Sequence, residues 1–276
     1  MSFADTVFIE NCRDILAHGV QDTEGSVRTR WPDGTPAHTV RLFGLVNRYR
    51  LDTEFPILTL RRTFWRSAVD ELLWIWQKKS NNVRELSSRI WDAWADDNGS
   101  IGKAYGYQLG QKHIYAEGKF DQVDRLLYDL KHNPNSRRMI TNLYNHDDLH
   151  EMRLYPCAYS LTVHVADGGL SAILHQRSQD MLVANNWNVC QYAILLHMLA
   201  AVNGLQAREL LHVIADAHIY DRHVPMVKEL IAREPFPAPT FQINPPVTGF
   251  YDFTADSFTL KDYRYHEFTE SIPVAL

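Results

Sequence analysis

Between residues 158 and 176 apolar and polar positions alternate, reverse at a turn and alternate again. Tyr159, Leu161, Val163 and Val165 interleave with Ser160, Thr162 and His164; after Asp-Gly-Gly at 167–169, Leu170, Ala172 and Leu174 answer them. A period of two on both sides of such a turn predicts a β-hairpin with one buried face. "ELLHVIADAHIY" (209–220) and "TFQIN" (240–244) are strand candidates as well.

Elsewhere the period lengthens to that of a helix. One helix is predicted from Ser2, as N-cap, to Gly19, with Phe8, Cys12, Ile15 and Leu16 on one face. A second covers 64–78, where Trp65, Val69, Leu72, Leu73 and Trp76 recur, and a third covers 120–132, with Val123, Leu126, Leu127 and Leu130 before "NPN". The stretch 186–203 is apolar nearly all round, so it belongs deep in the core. Helices and strands mix without strict βαβ alternation, which predicts an α+β fold, a sheet with helices packed on it. No repeat, low-complexity tract or Ser/Gly linker divides the chain, and the one Pro-dense stretch is 235–246; the expectation is a single domain over 1–276.

Composition narrows the class. The 276 residues carry a net charge of −5, so no global positive field draws the chain onto nucleic acid or an anionic membrane. Three cysteines (Cys12, Cys157, Cys190) make no even framework, which points to free thiols in a reducing compartment. The N-terminus has no signal-peptide pattern, and the longest apolar run, 192–202, is far short of the roughly 20 residues a span needs. A cytoplasmic protein with no membrane partner is expected.

The candidate chemistry centres on "RLYPCAYS". Cys157 follows Pro156 at the mouth of the hairpin, and Arg177 ends the returning strand. A nearby guanidinium favours the thiolate, the nucleophilic form of cysteine. The residues also fit a buried strand cysteine beside a surface arginine. Arg28, Arg137, Arg138 and Arg177 sit at element boundaries beside small polar residues, a setting for phosphate recognition, although "NPNSRR" also fits a solvated loop. Glu71 in "DELLWIWQ" lies on an apolar helix, where a buried carboxylate has a raised pKa and manages protons. Trp91 and Trp94 suit a stacked flat ring or the core. In "ADAHIYDRH", Asp216, His218 and His223 lack metal-ligand spacing, whereas His218 and Tyr220 share a strand face and suit donation to a sugar hydroxyl.

"LYPCAYS", "HQRSQDMLVANNWNVCQYA", "DAHIYDRH", "NPNSRR", "DELLWIWQ", "IWDAWADDNG" and the terminal "PVAL" occur in the order seen in thymidylate synthases of the folate-dependent, non-flavin type, and the resemblance runs from about Arg28 to Leu276. It implies a large twisted mixed sheet whose face forms a homodimer. It implies reductive methylation of dUMP by 5,10-methylenetetrahydrofolate, with no metal, no flavin and no nucleic acid required. Cys157 resembles the nucleophile that adds to uracil C6, and Arg177 the group that stabilises its thiolate. By the same resemblance dUMP is held by Arg28, Gln176, Arg177, Ser178, Asp180, Asn188, His218 and Tyr220, with Arg137 and Arg138 reaching in from the partner subunit. Asn188 would read the O4 and N3 edge, Glu71 would order waters for proton transfer, and Tyr105 would stand near the departing C5 proton. Ile90, Trp91, Trp94, Asp180, Ala184, Trp187 and Ala275 match folate positions, and "PVAL" a tail that closes the site.

Several positions depart from the commonest family pattern. Ala158 replaces a histidine that often follows the cysteine; Ala184, Asn186 and Trp187 stand for glycine, proline and phenylalanine; Arg61 stands for a lysine near the folate glutamate. A pyrimidine deoxynucleotide hydroxymethylase of the same family is the enzymatic alternative, and a non-catalytic nucleotide-binding protein the other.

Overall fold

A computed structural model describes residues 2–22, 25, 27–244 and 247–276. The elements in chain order are α1 (Phe3–His18), β1 (Val20–Gln21), β2 (Thr39–Arg50), α2 (Trp65–Trp76), α3 (Gly106–Gly110), β3 (His113–Tyr115), β4 (Gly118–Phe120), α4 (Gln122–His132), β5 (Ile140–Asn142), β6 (Ala158–Ala166), β7 (Gly169–Gln176), β8 (Gln179–Asp180), α5 (Asn185–Val202), β9 (Gln206–Tyr220), α6 (Val224–Leu230), β10 (Thr240–Ile243) and β11 (Phe258–Lys261). The main sheet runs β1-β2-β9-β7-β6-β5, with β8 beside β9. It is mixed: β7 and β8 run parallel to β9, and the other neighbours are antiparallel. This is the α+β fold that the patterning predicts.

The hairpin β6–β7 turns at Asp167 and Gly168, both with positive φ (47° and 71°), the backbone a tight hairpin turn requires. α5 is buried nearly all round and packs on α2, β7 and β9. Ala193, Ile194, Leu195, Leu196 and Leu199 fill one core cluster with Leu72, Trp74 and Trp76 of α2. A second cluster lies under α1, where Phe8, Cys12 and Ile15 meet Leu58, Leu60, Ile214 and Ile219.

Ser2 holds the N-cap position of α1 as predicted, and its hydroxyl donates to the Ile57 carbonyl at 3.2 Å. One expectation about an end needs correction: the strand at 240–244 stops at Ile243, and Pro245 and Pro246 lie outside the described residues.

The feature that positions the site is a change of parity in the β2–β9 ladder. Leu210, His212 and Ile214 are buried on the core side, then Ala217 and Ile219 take over. The ladder pairs Phe43 with Asp216 and Leu45 with Ile214, and between them Gly44 adopts φ 82° opposite Ala215. A side-chain period of two makes any such interruption swap the faces. Asp216, His218 and Tyr220 are thereby turned away from the core, beside Phe43, Arg41 and Thr39 in register.

Candidate active site

β6 and β7 bring Cys157 and Arg177 together as their alternation predicts. Ala158 pairs with Gln176, and the Arg177 N–H donates to the Cys157 carbonyl at 2.9 Å. The guanidinium Nη2 stands 3.7 Å from Cys157 Sγ, and it also donates to the Tyr155 carbonyl at 2.7 Å while Nε donates to the Pro156 carbonyl at 3.1 Å. Burial pushes the Cys157 thiol up; Arg177 and then Tyr105 pull it back without reversing the direction. Arg177 acts on the thiol in the direction the sequence predicts, and desolvation is the larger effect.

Arg177 also faces a cleft of about 370 Å³, lined by Arg28, Thr29, Arg41, Ser178, Asp216, His218 and Tyr220 among others. Arginine forks beside a serine hydroxyl at one site suit a phosphate dianion. His218 Nδ1 lies 2.9 Å from Asp216 Oδ1. A carboxylate accepts, so Nδ1 carries a hydrogen and the ring is oriented by Asp216. His218 and Tyr220 both line the cleft, as their shared strand face predicts. Their rings meet edge to face at 5.2 Å.

On the other side of Cys157 lies a wall of aromatic groups and one acid. The Cys157 N–H donates to the Tyr105 hydroxyl at 3.2 Å. Tyr105 holds φ 46°, ψ −107°, a strained conformation for a residue with a side chain. Gly106 follows because a Cβ there would meet the Ser80 carbonyl oxygen at 2.3 Å. Trp91 packs edgewise on Tyr105, centroids 5.0 Å apart, and donates its indole N–H to Glu71 Oε1 at 2.9 Å. Gln191 Nε2 donates to Glu71 Oε2 at 3.0 Å, and Trp187 donates to the same oxygen. Burial raises Glu71 to about 7 despite these donors, which places its proton in the range where it exchanges at physiological pH.

Asn188 is half-buried; its Oδ1 accepts from Gln176 Nε2 at 3.2 Å and its Nδ2 donates to Gln191 Oε1 at 3.3 Å. Asp180 Oδ1 accepts the N–H groups of Leu182 (2.9 Å) and Val183 (3.0 Å), which folds the turn leading to Ala184 and Trp187. Asn186 fills the place of a proline with a buried amide: it accepts from the Leu58 N–H (2.9 Å) and the Thr63 hydroxyl (2.8 Å) and donates to the Pro56 carbonyl (3.1 Å). Arg61 donates to the Leu182 carbonyl, at the same turn. Trp94 packs edgewise on Trp91, and Ile90 is 40% exposed. The tail carrying Ala275 is fastened at both ends: Leu276 pairs with Arg30 through two backbone bonds, and the Pro273 carbonyl accepts from His223 Nε2 at 2.8 Å.

Arg137 and Arg138 are exposed in the loop before β5 and do not line the cleft of their own chain. Sequence reasoning missed Arg41, because β2 itself was missed, and Gln191, which reads as one more residue of a core helix.

A sequence profile described as thymidylate synthase matches residues 6–275. Thymidylate synthase 1 of Bacillus spizizenii is 46% identical over 92% of both chains, and the thymidylate synthase of Bacillus phage phi3T is 46% identical over the same share. The solved structure of the thermostable thymidylate synthase A from Bacillus subtilis superposes with a TM-score of 0.94, at 43% identity over 99% of each chain. With Arg177 joining Cys157 to the arginine-lined cleft and these likenesses spanning nearly its whole length, the chain belongs to the thymidylate synthase family of methyltransferases.

Proposed function

We propose that the protein converts dUMP to dTMP with 5,10-methylenetetrahydrofolate, which leaves as dihydrofolate, and that residues 1–276 act as one catalytic domain. The observation that carries this reading is the Arg177 guanidinium, which meets Cys157 Sγ on one side and the arginine-lined cleft on the other. Phosphate sits against Arg28, Arg177 and Ser178, the deoxyribose hydroxyl against His218 and Tyr220, and the base between Cys157 and Asn188. The folate supplies both the one-carbon unit and the hydride.

Cys157 adds through sulfur to C6, and the C5–C6 electron pair moves onto C5, which takes the folate methylene carbon. Tyr105 stands beside Cys157, placed for the C5 proton, whose departure breaks the methylene–nitrogen bond to the folate: that bond's electrons leave on nitrogen, and an exocyclic methylene remains at C5. Glu71, near neutrality in its pKa, holds the proton inventory on the O4 side. After hydride reaches the exocyclic carbon, the S–C6 bond breaks with its electrons returning to sulfur, and the C5–C6 double bond is restored. Burial holds the Cys157 thiol up before ligands arrive, so sulfur ionisation belongs with assembly of the complex.

Folate contacts are assigned to Ile90, Trp91, Trp94, Asp180, Ala184, Trp187 and Ala275. Trp91 spends its indole N–H on Glu71, so any stacking uses its ring while its edge orients the acid. The tail, pinned at Arg30 and His223, is the element that covers the site. The homodimer is assigned to the sheet face on which Phe43 (87% exposed) and Val46 (60%) stand, and Arg137 and Arg138 serve the partner's phosphate site.

The test is incubation with dUMP and methylenetetrahydrofolate, following dihydrofolate absorbance and the nucleotide product. Formation of dTMP with equimolar dihydrofolate supports the reading. Hydroxymethyl-dUMP without dihydrofolate assigns the hydroxymethylase reaction instead.

A further inference from the structure

We infer that Gln191 fixes which way round the Asn188 amide faces the base, and so sets the preference for a uracil edge over a cytosine edge. This rests on Asn188 as the base reader.

An asparagine amide can present its oxygen and nitrogen in either order, and only its neighbours decide. Here both neighbours are themselves locked. Gln176 Nε2 donates to the Ser178 carbonyl at 3.0 Å, so its second N–H is the atom that faces Asn188, at 3.2 Å from Oδ1. Gln191 Nε2 donates to the Ala68 carbonyl at 3.2 Å and to Glu71 Oε2 at 3.0 Å. A backbone carbonyl only accepts, so Gln191 has no second orientation, and its Oε1 must face Asn188 Nδ2 at 3.3 Å. Gln191 is 3% exposed and lies one helical turn from Asn188 on α5, with no alternative partner in solvent.

Each of these bonds uses one lone pair on Asn188 Oδ1 and one hydrogen on Nδ2. One acceptor site and one donor remain for a ligand, in fixed order. Uracil offers N3–H beside the O4 acceptor and fits. Cytosine offers an N3 acceptor beside an N4 donor and would require a flipped amide. The flip sets Nδ2 against the Gln176 nitrogen and Oδ1 against the Gln191 oxygen, two repulsive contacts in a site with little water to relieve them. Gln191 meets neither base nor sulfur; it is a positioning residue acting through Asn188.

The experiment compares kcat/KM for dUMP with that for dCMP in Gln191→Met, Gln191→Glu and Asn188→Asp, with calorimetric dUMP binding as the check of an intact pocket. Gln191→Met removes the acceptor that holds Nδ2, and the dUMP preference falls about tenfold, the worth of one hydrogen bond. Gln191→Glu sets a second oxygen against the Ala68 carbonyl and Glu71, so it also disturbs the lock and lowers the preference. Full preference in Gln191→Met and Gln191→Glu alike overturns the inference. If Gln191→Met does not fold, Gln191→Ala is read in its place. Unchanged preference in Asn188→Asp sinks the role of Asn188 itself, a separate failure.

Discussion

Arg177 Nη2 lies 3.7 Å from Cys157 Sγ while the same guanidinium is anchored to the carbonyls of Tyr155 and Pro156. Its position is therefore set by the backbone of the loop that carries the cysteine, and the two residues move as a unit. Proximity of a cation does not by itself ionise the sulfur, since desolvation is the larger effect. Alkylation of Cys157 by iodoacetamide in the free protein should keep accelerating above the pH range where an ordinary thiol has levelled off. Arg177→Met should slow it at every pH below that plateau. A plateau already reached at neutral pH in the free protein would show that the arginine outweighs burial.

Cys157→Ala should still bind dUMP, because Arg28, Ser178, His218 and Tyr220 line the cleft independently of the sulfur. Turnover should drop by several orders of magnitude, as covalent catalysis has no substitute here. Equilibrium dialysis with labelled dUMP, paired with a dTMP assay, checks both halves; substantial dTMP from this variant removes Cys157 from the nucleophile role.

If the sites are shared across the proposed dimer, Arg138→Ala and Cys157→Ala subunits should complement one another. A mixed dimer holds one site with an intact cysteine and the partner's intact arginine. Activity rising from near zero toward about a quarter of wild type after denaturation and refolding of an equal mixture is the expected outcome, the statistical yield for random reassociation. No recovery, with exchange confirmed by mass-tagged subunits, places Arg138 outside the site.

The hairpin and α5 were legible because their signals are local. Alternation about Asp167-Gly168 and an apolar circumference each specify an element from adjacent residues alone. β2 was not, because Gly44 interrupts its alternation and because Phe43 and Val46 put apolar side chains on the exposed face. Cys157 and Arg177 were found through the hairpin, whose register sets them opposite. The ring of donors on Glu71 left no comparable trace: Trp187 and Gln191 are 116 and 120 residues away, and only packing of α2 on α5 joins them.

Asn186 should prove structural rather than chemical. Its amide joins Leu58, Thr63 and Pro56 to the start of α5 and is 3% exposed. Asn186→Ala strands the Leu58 N–H and leaves the Pro56 carbonyl only the weak Cys190 thiol, which should cost about 2–3 kcal/mol in urea unfolding. A loss under about 0.5 kcal/mol would mean that water or a shifted loop satisfies those groups.

Glu71 gives the protein a dependence of stability on pH with a definite sign. Burial raises its pKa from the ordinary 4.5 to about 7, so between those values the folded chain holds a proton that the unfolded chain has released. Stability then falls as pH rises through that window, by about 3 kcal/mol in all from this one group, and is flat with respect to it on either side. Glu71→Gln cannot titrate. The difference in unfolding free energy between wild type and Glu71→Gln should therefore shift by about 3 kcal/mol, in favour of the variant, between pH 4.5 and pH 8. Differencing the two proteins cancels the titration of the buried histidines, His197 and His212, whose depressed pKa values act in the opposite direction below neutrality. A difference that stays constant across the window would show that Trp91, Trp187 and Gln191 compensate the desolvation in full and keep the acid ionised throughout.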